Sequence, residues 1–528
     1  PPIGYRRDGS DALAPYRQPI LASDVVRYVG EPVAVVFAED AAIAEDAADR
    51  VDFRADLLDA SVDPATSAFG GSSDRATAAV VEQRFGDVDA AFAAADLVVE
   101  LELEIGRHSA VPLEPRGLVA RWDGARDMLD VFGAARFPHI DRDMLAAQIG
   151  RPASRVALIE SHVGGGFGVR GEIGPEDVLV CLAALRLGRP VAWIEDRSEH
   201  MIAAAHARGQ RHIARIAAQD DGRLVAMDVT FMLDQGAYLR PDGLLTAQLT
   251  AAMLPGPYRL DAFRAVGDVR LTHKTPAGTY RAGGRYESTF VRERLVDAVA
   301  DRLGLDPAEV RRRNFLTRQD MPIAPGVSLA GQPVVYDSGD YPRLLQRTAE
   351  TVGLARLRKR IATRRSKGER VGLGMAFLVD RAGGGSGDGA RITVDETGAV
   401  EVITGAADLG QGVETAVAQI VSDILAIPYT DVRVVHGRTD AIGFGQGAHG
   451  SRTTVMTGTA AQQAAEKVRE KVLAAAAAMI GVSADRLMLE DGEVRAIEHA
   501  GAPGLPLGAV ARALRPDRAP MLDVPHST

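Results

Sequence analysis

The residues best suited to chemistry lie in four glycine-rich loops, and the first loop, residues 164–171, has the sequence GGGFGVRG. Glycines this close together expose backbone N–H groups with no Cβ in the way. Such a loop can wrap an anion or a flat polar cofactor. An inert turn between a strand and a helix has the same composition, so this loop alone does not distinguish a binding site from a turn.

The same loop contains a dinucleotide-binding pattern, because residues 166–171 satisfy G-x-G-x-x-G. A predicted strand further along ends at Glu195, near the distance at which that fingerprint places a ribose-binding acid. This interpretation makes the chain an NAD- or FAD-dependent dehydrogenase. Two features oppose it: the helix begins only at Pro175, beyond the glycines, and long β-rich segments precede the pattern.

Three further loops carry side chains that can contact a ligand. Arg281, in loop 279–287, offers a fixed fork of donors among small residues. Gln411, in loop 408–412, offers an amide donor and acceptor beside a helix start. Loop 443–454 places hydroxyl and N–H groups before a helix, where they can bind phosphate or cap the helix. Each loop alone is typical of a turn, but four together favour one extended ligand held between domains, such as a cofactor with a pterin and a pyrophosphate.

The composition narrows the classes of partner and site. The 528 residues carry a formal net charge of −10, which argues against nucleic acid as a partner. The single cysteine, Cys181, excludes an intrachain disulfide and an iron–sulfur or Cys-rich zinc site held by this chain alone. It also fits a reducing, cytoplasmic location. The longest uncharged apolar run, 472–482, is too short to cross a bilayer, so no membrane span is predicted.

Strand and helix patterns alternate along three segments, which predicts an α+β fold. The segments span residues 1–62, 80–320 and 341–528, and a Pro-, Gly- and Ser-containing stretch at 61–73 is interpreted as a linker. Strands are predicted at 25–29, 32–37, 97–105, 118–122, 155–163, 191–194, 224–231, 372–378, 390–394 and 400–404. Helices are predicted at 40–52, 142–149, 175–187, 290–303, 307–313, 414–425 and 457–480.

Together these motifs resemble the molybdenum-binding large subunit of the xanthine dehydrogenase and aldehyde oxidase family, which includes the carbon monoxide dehydrogenase large subunit. The resemblance covers nearly the whole chain. It is carried, in family order, by residues 24–33, 85–92, 114–116, 164–168, 188–191, 197–201, 234–238, the Arg281 loop, 410–412 and 450–452.

The resemblance implies a molybdenum hydroxylase, which adds oxygen from water to a carbon of an aldehyde or an N-heteroaromatic ring. It implies a partial α/β hammerhead domain over 1–62, a first molybdopterin-binding domain over 80–320 and a second, incomplete one over 341–528. The cofactor would be molybdopterin with molybdenum, in the cytosine dinucleotide form. The [2Fe–2S] clusters and FAD would belong to an iron–sulfur small subunit and an FAD medium subunit, in a dimer of heterotrimers.

The resemblance also implies roles for single residues. The backbone N–H groups of Phe167 and Gly168 would face the molybdenum ligands, and Arg281 would lie beside the metal and stabilise charge in the transition state. Gln411 matches a pterin contact. Other matched positions would contact the cofactor: Gly166, Arg136, Gly412, Gly450, Ser451 and Thr453, with Gly450 also near the metal.

Two positions depart from relatives in the family. Arg136 stands where members often have a glutamine whose amide donates to a molybdenum oxygen ligand, and the added charge and length hint at an anionic or unusual substrate. The loop around Arg281 has no cysteine, unlike the copper-containing carbon monoxide dehydrogenases, so a copper–molybdenum site is not expected. Cys181 lies on a predicted helix and is interpreted as a buried apolar residue.

The family's catalytic base is a glutamate in a glycine-rich loop near the C-terminus, and the sequence ends at Thr528 before such a loop. Glu172 is not expected to replace it. With no initiator methionine at Pro1 either, the sequence is interpreted as a fragment. A non-catalytic subunit therefore stays open as an alternative to an enzyme.

Overall fold

A computed structural model describes residues 2–3, 11–69, 76–133, 135–160, 162–385, 387–499 and 503–515. The strands of this part of the chain are numbered in chain order. They are β1 Thr77–Phe85, β2 Leu97–Ser109, β3 Gly117–Asp123, β4 Met128–Gly133, β5 Val156–Ile159, β6 Val191–Ile194, β7 His206–Ala218, β8 Leu224–Gly236, β9 Ala262–Leu271, β10 Ser328–Leu329, β11 Gln332–Pro333, β12 Ala390–Val394, β13 Val400–Thr404, β14 Val432–Val435, β15 Leu487–Glu490, β16 Glu493–Ala496 and β17 Leu505–Pro506.

The α-helices are numbered in the same way. They are α1 Ala41–Ala48, α2 Val88–Ala93, α3 Pro138–Gln148, α4 Pro175–Leu187, α5 Arg197–Ala203, α6 Leu245–Met253, α7 Arg285–Leu303, α8 Pro307–Asn314, α9 Tyr341–Val352, α10 Leu354–Ser366, α11 Val413–Leu425, α12 Gly458–Ile480 and α13 Leu507–Ala513. None of the described helices is both long and apolar enough to span a membrane.

Two sheets form the first half of the molecule. The larger has the strand order β1-β9-β8-β7-β2 and is antiparallel except for the β8–β9 pair. Helices α6 and α7 pack on it and bury Val291, Leu295 and Val299 against the sheet. The smaller sheet, β5-β4-β3-β6, is covered by α3 and α4, and Cys181 lies completely buried in its core.

The second half is built around the sheet β12-β13-β14, in which β13 and β14 run parallel. Helices α11 and α12 pack against each other and against this sheet, and they bury Val417, Val421 and Ala465. A small antiparallel sheet, β15-β16-β17, closes the far end of the same core. The α+β fold class predicted from the sequence is confirmed.

Most predicted helices and strands occur where their patterns placed them, but three predicted strands were wrong. Residues 25–29, 32–37 and 372–378 contain no strand. A strand needs a ladder of backbone hydrogen bonds with a neighbouring strand, and no sheet of the described residues includes these stretches. The first helix covers only Ala41–Ala48 of the predicted 40–52. Residues 516–528 of the predicted third segment lie outside the described residues.

Candidate active site

The first glycine loop follows β5 in the chain, and Glu114 holds its first residue. The Glu114 carboxylate accepts a hydrogen bond from the Gly164 N–H at 2.7 Å and forms an ion pair with Arg170 at 3.0 Å. Arg170 is itself buried and also donates to the carbonyls of Glu114 and Pro115. The loop is therefore fixed by a buried guanidinium within its own sequence.

The middle of this loop is locked to the Arg281 loop. Gly168 has φ +119°, and a Cβ there would overlap the carbonyl oxygen of Thr279. Beside it, the Arg281 N–H donates to the Phe167 carbonyl at 2.8 Å. Phe167 also has positive φ, +51°, and half of its surface is exposed. Since only glycine permits the approach at Gly168, the two loops form one rigid unit.

The Arg281 loop is held from behind by a second arginine. Arg208 is buried, and its guanidinium donates to the Arg281 carbonyl at 2.6 Å and to the Glu287 carboxylate at 3.0 Å. The same guanidinium lies over the rings of Tyr280 and Tyr286, 5.0 Å and 4.4 Å from their centroids. The Arg281 side chain is exposed and makes no hydrogen bond or ion pair within the described part of the chain. It is thus presented to the space in front of the loops.

Arg136 connects three loops. Its Nε donates to the Ala448 carbonyl at 2.8 Å, its Nη1 donates to the Thr279 hydroxyl at 3.3 Å, and its side chain lies against Gly171. Its own carbonyl accepts from the Ala448 N–H at 2.9 Å, and a Cβ at Gly447 would overlap that carbonyl. The guanidinium predicted to contact the cofactor therefore also holds the fourth loop against the first two.

The third loop is shaped by its own side chains. The Asp408 carboxylate accepts hydrogen bonds from the N–H groups of Gly410 and Val413 at 2.7 and 3.1 Å. The Gln411 amide accepts from the Leu409 N–H at 2.7 Å and donates to the Ala407 carbonyl at 2.9 Å. The Leu409 side chain lies against Gly166 of the first loop. Gln411 is exposed, and its contact with a pterin stays a prediction.

The fourth loop ends in an unusual backbone. Gly450 and Ser451 have φ of +53° and +54°, and Thr453–Thr457 forms one turn of π-helix before α12. Turns of this kind are frequent at functional sites. Ser451 is exposed, whereas Gly450 and Thr453 are half-buried. Gly412 precedes α11 with φ +77°, and the space around its Cα is open.

The four loops meet in one region, but not every predicted residue makes a contact there. Phe167, Gly168 and Arg281 are joined directly, Arg136 is joined to them through Thr279, and Gly166 touches the third loop. For Gly412, Gly450, Ser451 and Thr453, the predicted cofactor contacts stay predictions. Sequence reasoning missed Arg208 and Glu160, of which only Glu160, the acid that ends an apolar run at 156–159, gives a local signal.

Glu160 is a buried carboxyl group between the two halves. Its Oε1 accepts from the Asp408 N–H at 3.1 Å, and its backbone N–H donates to the Gly437 carbonyl at 2.8 Å. Its Oε2 is buried and has no hydrogen-bond partner among the described residues. Burial raises the pKa of Glu160 to about 9, only partly opposed by the Asp408 N–H. The folded chain therefore holds this carboxyl in its neutral form at pH 7.

Replacing Glu160 by glutamine should remove a pH dependence of stability. Folding raises the pKa of Glu160 from 4.5 to about 9. The contribution of the neutral carboxyl to the free energy of unfolding is therefore fully present below pH 4.5 and is lost as pH rises towards 9. The wild-type free energy of unfolding should thus fall by roughly 1 kcal/mol per pH unit relative to Glu160→Gln in that window. Denaturant titrations of both proteins from pH 5 to 9 measure this, and parallel curves would contradict it.

The geometry around Glu195 argues against the alternative interpretation of the first loop as a dinucleotide-binding site. This acid is buried and accepts from Arg116 Nε at 2.9 Å and from His200 Nδ1 at 2.8 Å. Burial alone would raise the pKa of Glu195, but the hydrogen bonds from His200 and Arg116 outweigh this effect and lower the pKa to about 2. Its oxygens are therefore occupied by the protein and cannot bind a ribose. The helix after the loop begins at Pro175, away from the glycine N–H groups.

The groups that converge here suit an organic anion rather than a metal held by side chains. They are backbone N–H groups, guanidiniums and hydroxyls, which recognise phosphate and the polar edge of a pterin. Among the described residues, no cluster of three or more His, Cys, Asp or Glu side chains could hold a metal ion. A metal at this site would therefore be held by a cofactor and not by side chains. The N–H groups, guanidiniums and hydroxyls of the four glycine loops fit a molybdopterin.

Two stretches of the chain match family profiles. Residues 72–315 match the Molybdopterin cofactor-binding domain, and residues 347–521 match a second profile with the same description. The two matches contain all four glycine loops.

Similar proteins cover almost the whole chain. It is 38% identical over 499 residues to the 6-hydroxypseudooxynicotine dehydrogenase complex subunit gamma of Paenarthrobacter nicotinovorans, spanning 93% of this chain and 62% of that protein. It is 34% identical over 508 residues to the nicotine 6-hydroxylase large subunit of the same organism, spanning 92% and 61%. Quinoline 2-oxidoreductase from Pseudomonas putida 86 superposes with a TM-score of 0.88 at 33% identity, covering 96% of this chain and 66% of that chain.

The chain spans about three fifths of the length of the curated relatives it matches. The family that the motifs along the chain resemble is confirmed by the two profile matches and by these identities. The chain belongs to the molybdenum-cofactor-binding large subunits of the family that includes xanthine dehydrogenase, carbon monoxide dehydrogenase and quinoline 2-oxidoreductase.

Proposed function

We propose that this chain is the cofactor-binding part of a molybdenum hydroxylase. The observation that carries the proposal is the junction of Gly168 with Thr279, which presents the exposed Arg281 side chain beside the N–H groups of the first glycine loop. When bound, a molybdenum cofactor would supply the acceptor for the two electrons of the hydroxylation, with water as the source of the oxygen. A donor fixed next to such a cofactor can stabilise negative charge that develops on the substrate.

Different residues of the chain would contact the metal ligands, the substrate, and the pterin with its nucleotide. The N–H groups of Phe167 and Gly168 would donate to the polar ligands around the metal, and Arg281 would orient the substrate. The pterin and its nucleotide would lie along the remaining loop positions, namely Gly166, Arg136, Gln411, Gly412, Gly450, Ser451 and Thr453. Their backbone N–H groups and hydroxyls would bind the phosphates.

Glu172 is not proposed as the catalytic base. Its Oε2 accepts from Arg240 Nε at 2.6 Å, its side chain is buried, and it lies against Gly278. Arg240 in turn donates to Gln18, whose amide donates to the Tyr28 hydroxyl. Glu172 therefore links the end of the first glycine loop to the N-terminal segment, and its buried ion pair with Arg240 gives it a structural role.

The substrate class favoured by the relatives is an N-heteroaromatic ring. One relative is named for 6-hydroxypseudooxynicotine, one for nicotine and one for quinoline, and each of these compounds contains a nitrogen heterocycle. The proposed cofactor form is the cytosine dinucleotide. Partners with [2Fe–2S] clusters and FAD would complete the electron path, in a dimer of heterotrimers, since the relatives are named as subunits of complexes and this chain's one cysteine is buried in the core.

Elemental and nucleotide analysis of the protein purified with its natural partners tests the proposal. We expect about one molybdenum per chain, no copper, and CMP released from the cofactor by mild acid. Copper is not expected because the loop around Arg281 contains no cysteine. Mass spectrometry of the metals and chromatography of the released nucleotide give the answer. Protein that carries NAD or FAD in this chain and no molybdenum would overturn the proposal.

A further inference from the structure

Arg452 lies completely buried behind the fourth loop and binds two separate segments. Its Nε donates to the Gly384 carbonyl at 2.9 Å, and its Nη2 donates to the Gly387 carbonyl at 2.6 Å. Its Nη1 donates to the Asp388 carboxylate at 2.9 Å and to the Gly447 carbonyl at 3.2 Å. One guanidinium therefore joins a glycine-rich stretch before β12 to the loop before α12.

The partner carboxylate is equally buried. Asp388 Oδ2 accepts from Arg452 and from the Thr457 hydroxyl at 2.6 Å, and the side chains of Asp388 and Arg452 are both inaccessible to solvent. A Cβ at Gly385 would overlap the Gln446 side chain, and Gly383 lies against Val455. The glycine-rich stretch is thus pressed onto the fourth loop at several points.

The fourth loop connects the Asp388–Arg452 pair to the first two loops through hydrogen bonds. Gly447, whose carbonyl Arg452 holds, precedes Ala448, which exchanges hydrogen bonds with Arg136. Arg136 then contacts the Thr279 hydroxyl, next to the junction with Gly168. A path of hydrogen bonds, joined by the peptide bond between Gly447 and Ala448, therefore runs from Asp388 to the Arg281 loop.

A buried ion pair contributes little net stability compared with apolar packing, because both charges lose their hydration. We propose that the Asp388–Arg452 pair acts instead as a clamp, and that Arg452 is a positioning residue for the cofactor. It fixes the backbone of 447–451, the stretch in which Gly450 and Ser451 are predicted to contact the cofactor. This inference rests on the proposed function, since it assumes that the fourth loop binds the molybdenum cofactor.

The test compares two arginines of equal burial in the full-length enzyme. Arg311 is also fully buried and pairs with Glu293. Its other hydrogen bonds go to α7, to Pro307 and to the Met375 carbonyl, and none of those described reaches the fourth loop. Arg452→Lys and Arg311→Lys each keep the charge and lose the fork of donors. We expect Arg452→Lys to lower the molybdenum content at least fivefold, and Arg311→Lys to retain it.

Hydrogen exchange of the cofactor-free protein provides a second readout. Peptides covering 444–457 should exchange at least tenfold faster in Arg452→Lys than in wild type, and Asp388→Asn should reproduce the effect. Unchanged exchange in this region, or an equal loss of molybdenum in Arg311→Lys, would overturn the clamp. Faster exchange together with no molybdenum in the wild type would retain the clamp as a loop tether and overturn the proposed function.

Discussion

Replacing Gly168 by alanine should lower the molybdenum content of the enzyme at least tenfold. The new methyl group would overlap the Thr279 carbonyl oxygen and would come within 3.0 Å of the Tyr280 Cα. These are backbone atoms that cannot rotate away, and φ of +119° is strained for any L side chain, at a cost of roughly 1–3 kcal/mol. The first loop and the Arg281 loop would therefore separate, and the cradle for the cofactor would be lost. Metal analysis of the purified variant measures the effect.

Gly188→Ala is the matched control for this variant. Gly188 follows the last residue of α4 with φ +62°, and no atom of the described residues lies within 4 Å of the position its Cβ would take. This substitution costs about 1 kcal/mol of helix-cap strain and leaves the loops in place. We expect it to keep its molybdenum. A Gly168→Ala enzyme with full molybdenum content would show that the two loops do not need their close approach.

Local sequence signals were enough for the elements that position the loops. Helix α4 was predicted at its observed bounds because Pro175 lies in its first turn and Gly188 follows its last residue. Strands β12 and β13 were also predicted at their observed bounds, since turn residues at 395–398 separate two β-branched runs. Caps, turns and alternation act within a few residues, and a single sequence contains them.

Contacts between distant residues were not accessible in this way. The strands predicted at 25–29 and 32–37 have suitable composition, but a strand also requires a partner. Arg208 is one of many arginines, and only the fold places it behind Arg281, 73 residues away along the chain. The four loops were identified from their glycines, whereas the junction of Gly168 with Thr279 depends on how two separate segments pack.

The contacts of Arg136 also bear on which arginine would face the substrate. The sequence suggested that a guanidinium at this position could favour an anionic substrate. In the structure its donors contact the Ala448 carbonyl and the Thr279 hydroxyl, so much of its hydrogen-bonding capacity holds loops together. Arg281 is different, because its side chain is exposed and has no polar partner in the described part of the chain. Arg281 is therefore the better candidate for direct contact with substrate.

Replacing Arg281 by lysine should reduce kcat by about 10²–10³ while the molybdenum content stays at the wild-type level. The backbone of Arg281 is held at both ends, by the Phe167 carbonyl and by Arg208, so the loop should keep its shape without the guanidinium. Loss of one fixed donor to a developing charge typically costs this much. A lysine keeps the charge but offers no planar fork of donors. Steady-state kinetics with the N-heteroaromatic compound that the wild type oxidises fastest, together with metal analysis, measure the effect.

Arg294→Lys supplies the comparison, since Arg294 is exposed on α7 and lies outside all four loops. It should retain wild-type kcat and KM. If Arg281→Lys instead raises KM and leaves kcat unchanged, Arg281 binds the substrate equally in its ground state and transition state, and the proposed stabilisation of developing charge is wrong. If molybdenum is lost together with activity, Arg281 holds the cofactor and does not act on the substrate. Only a fall in kcat with the metal retained places this guanidinium at the reacting carbon.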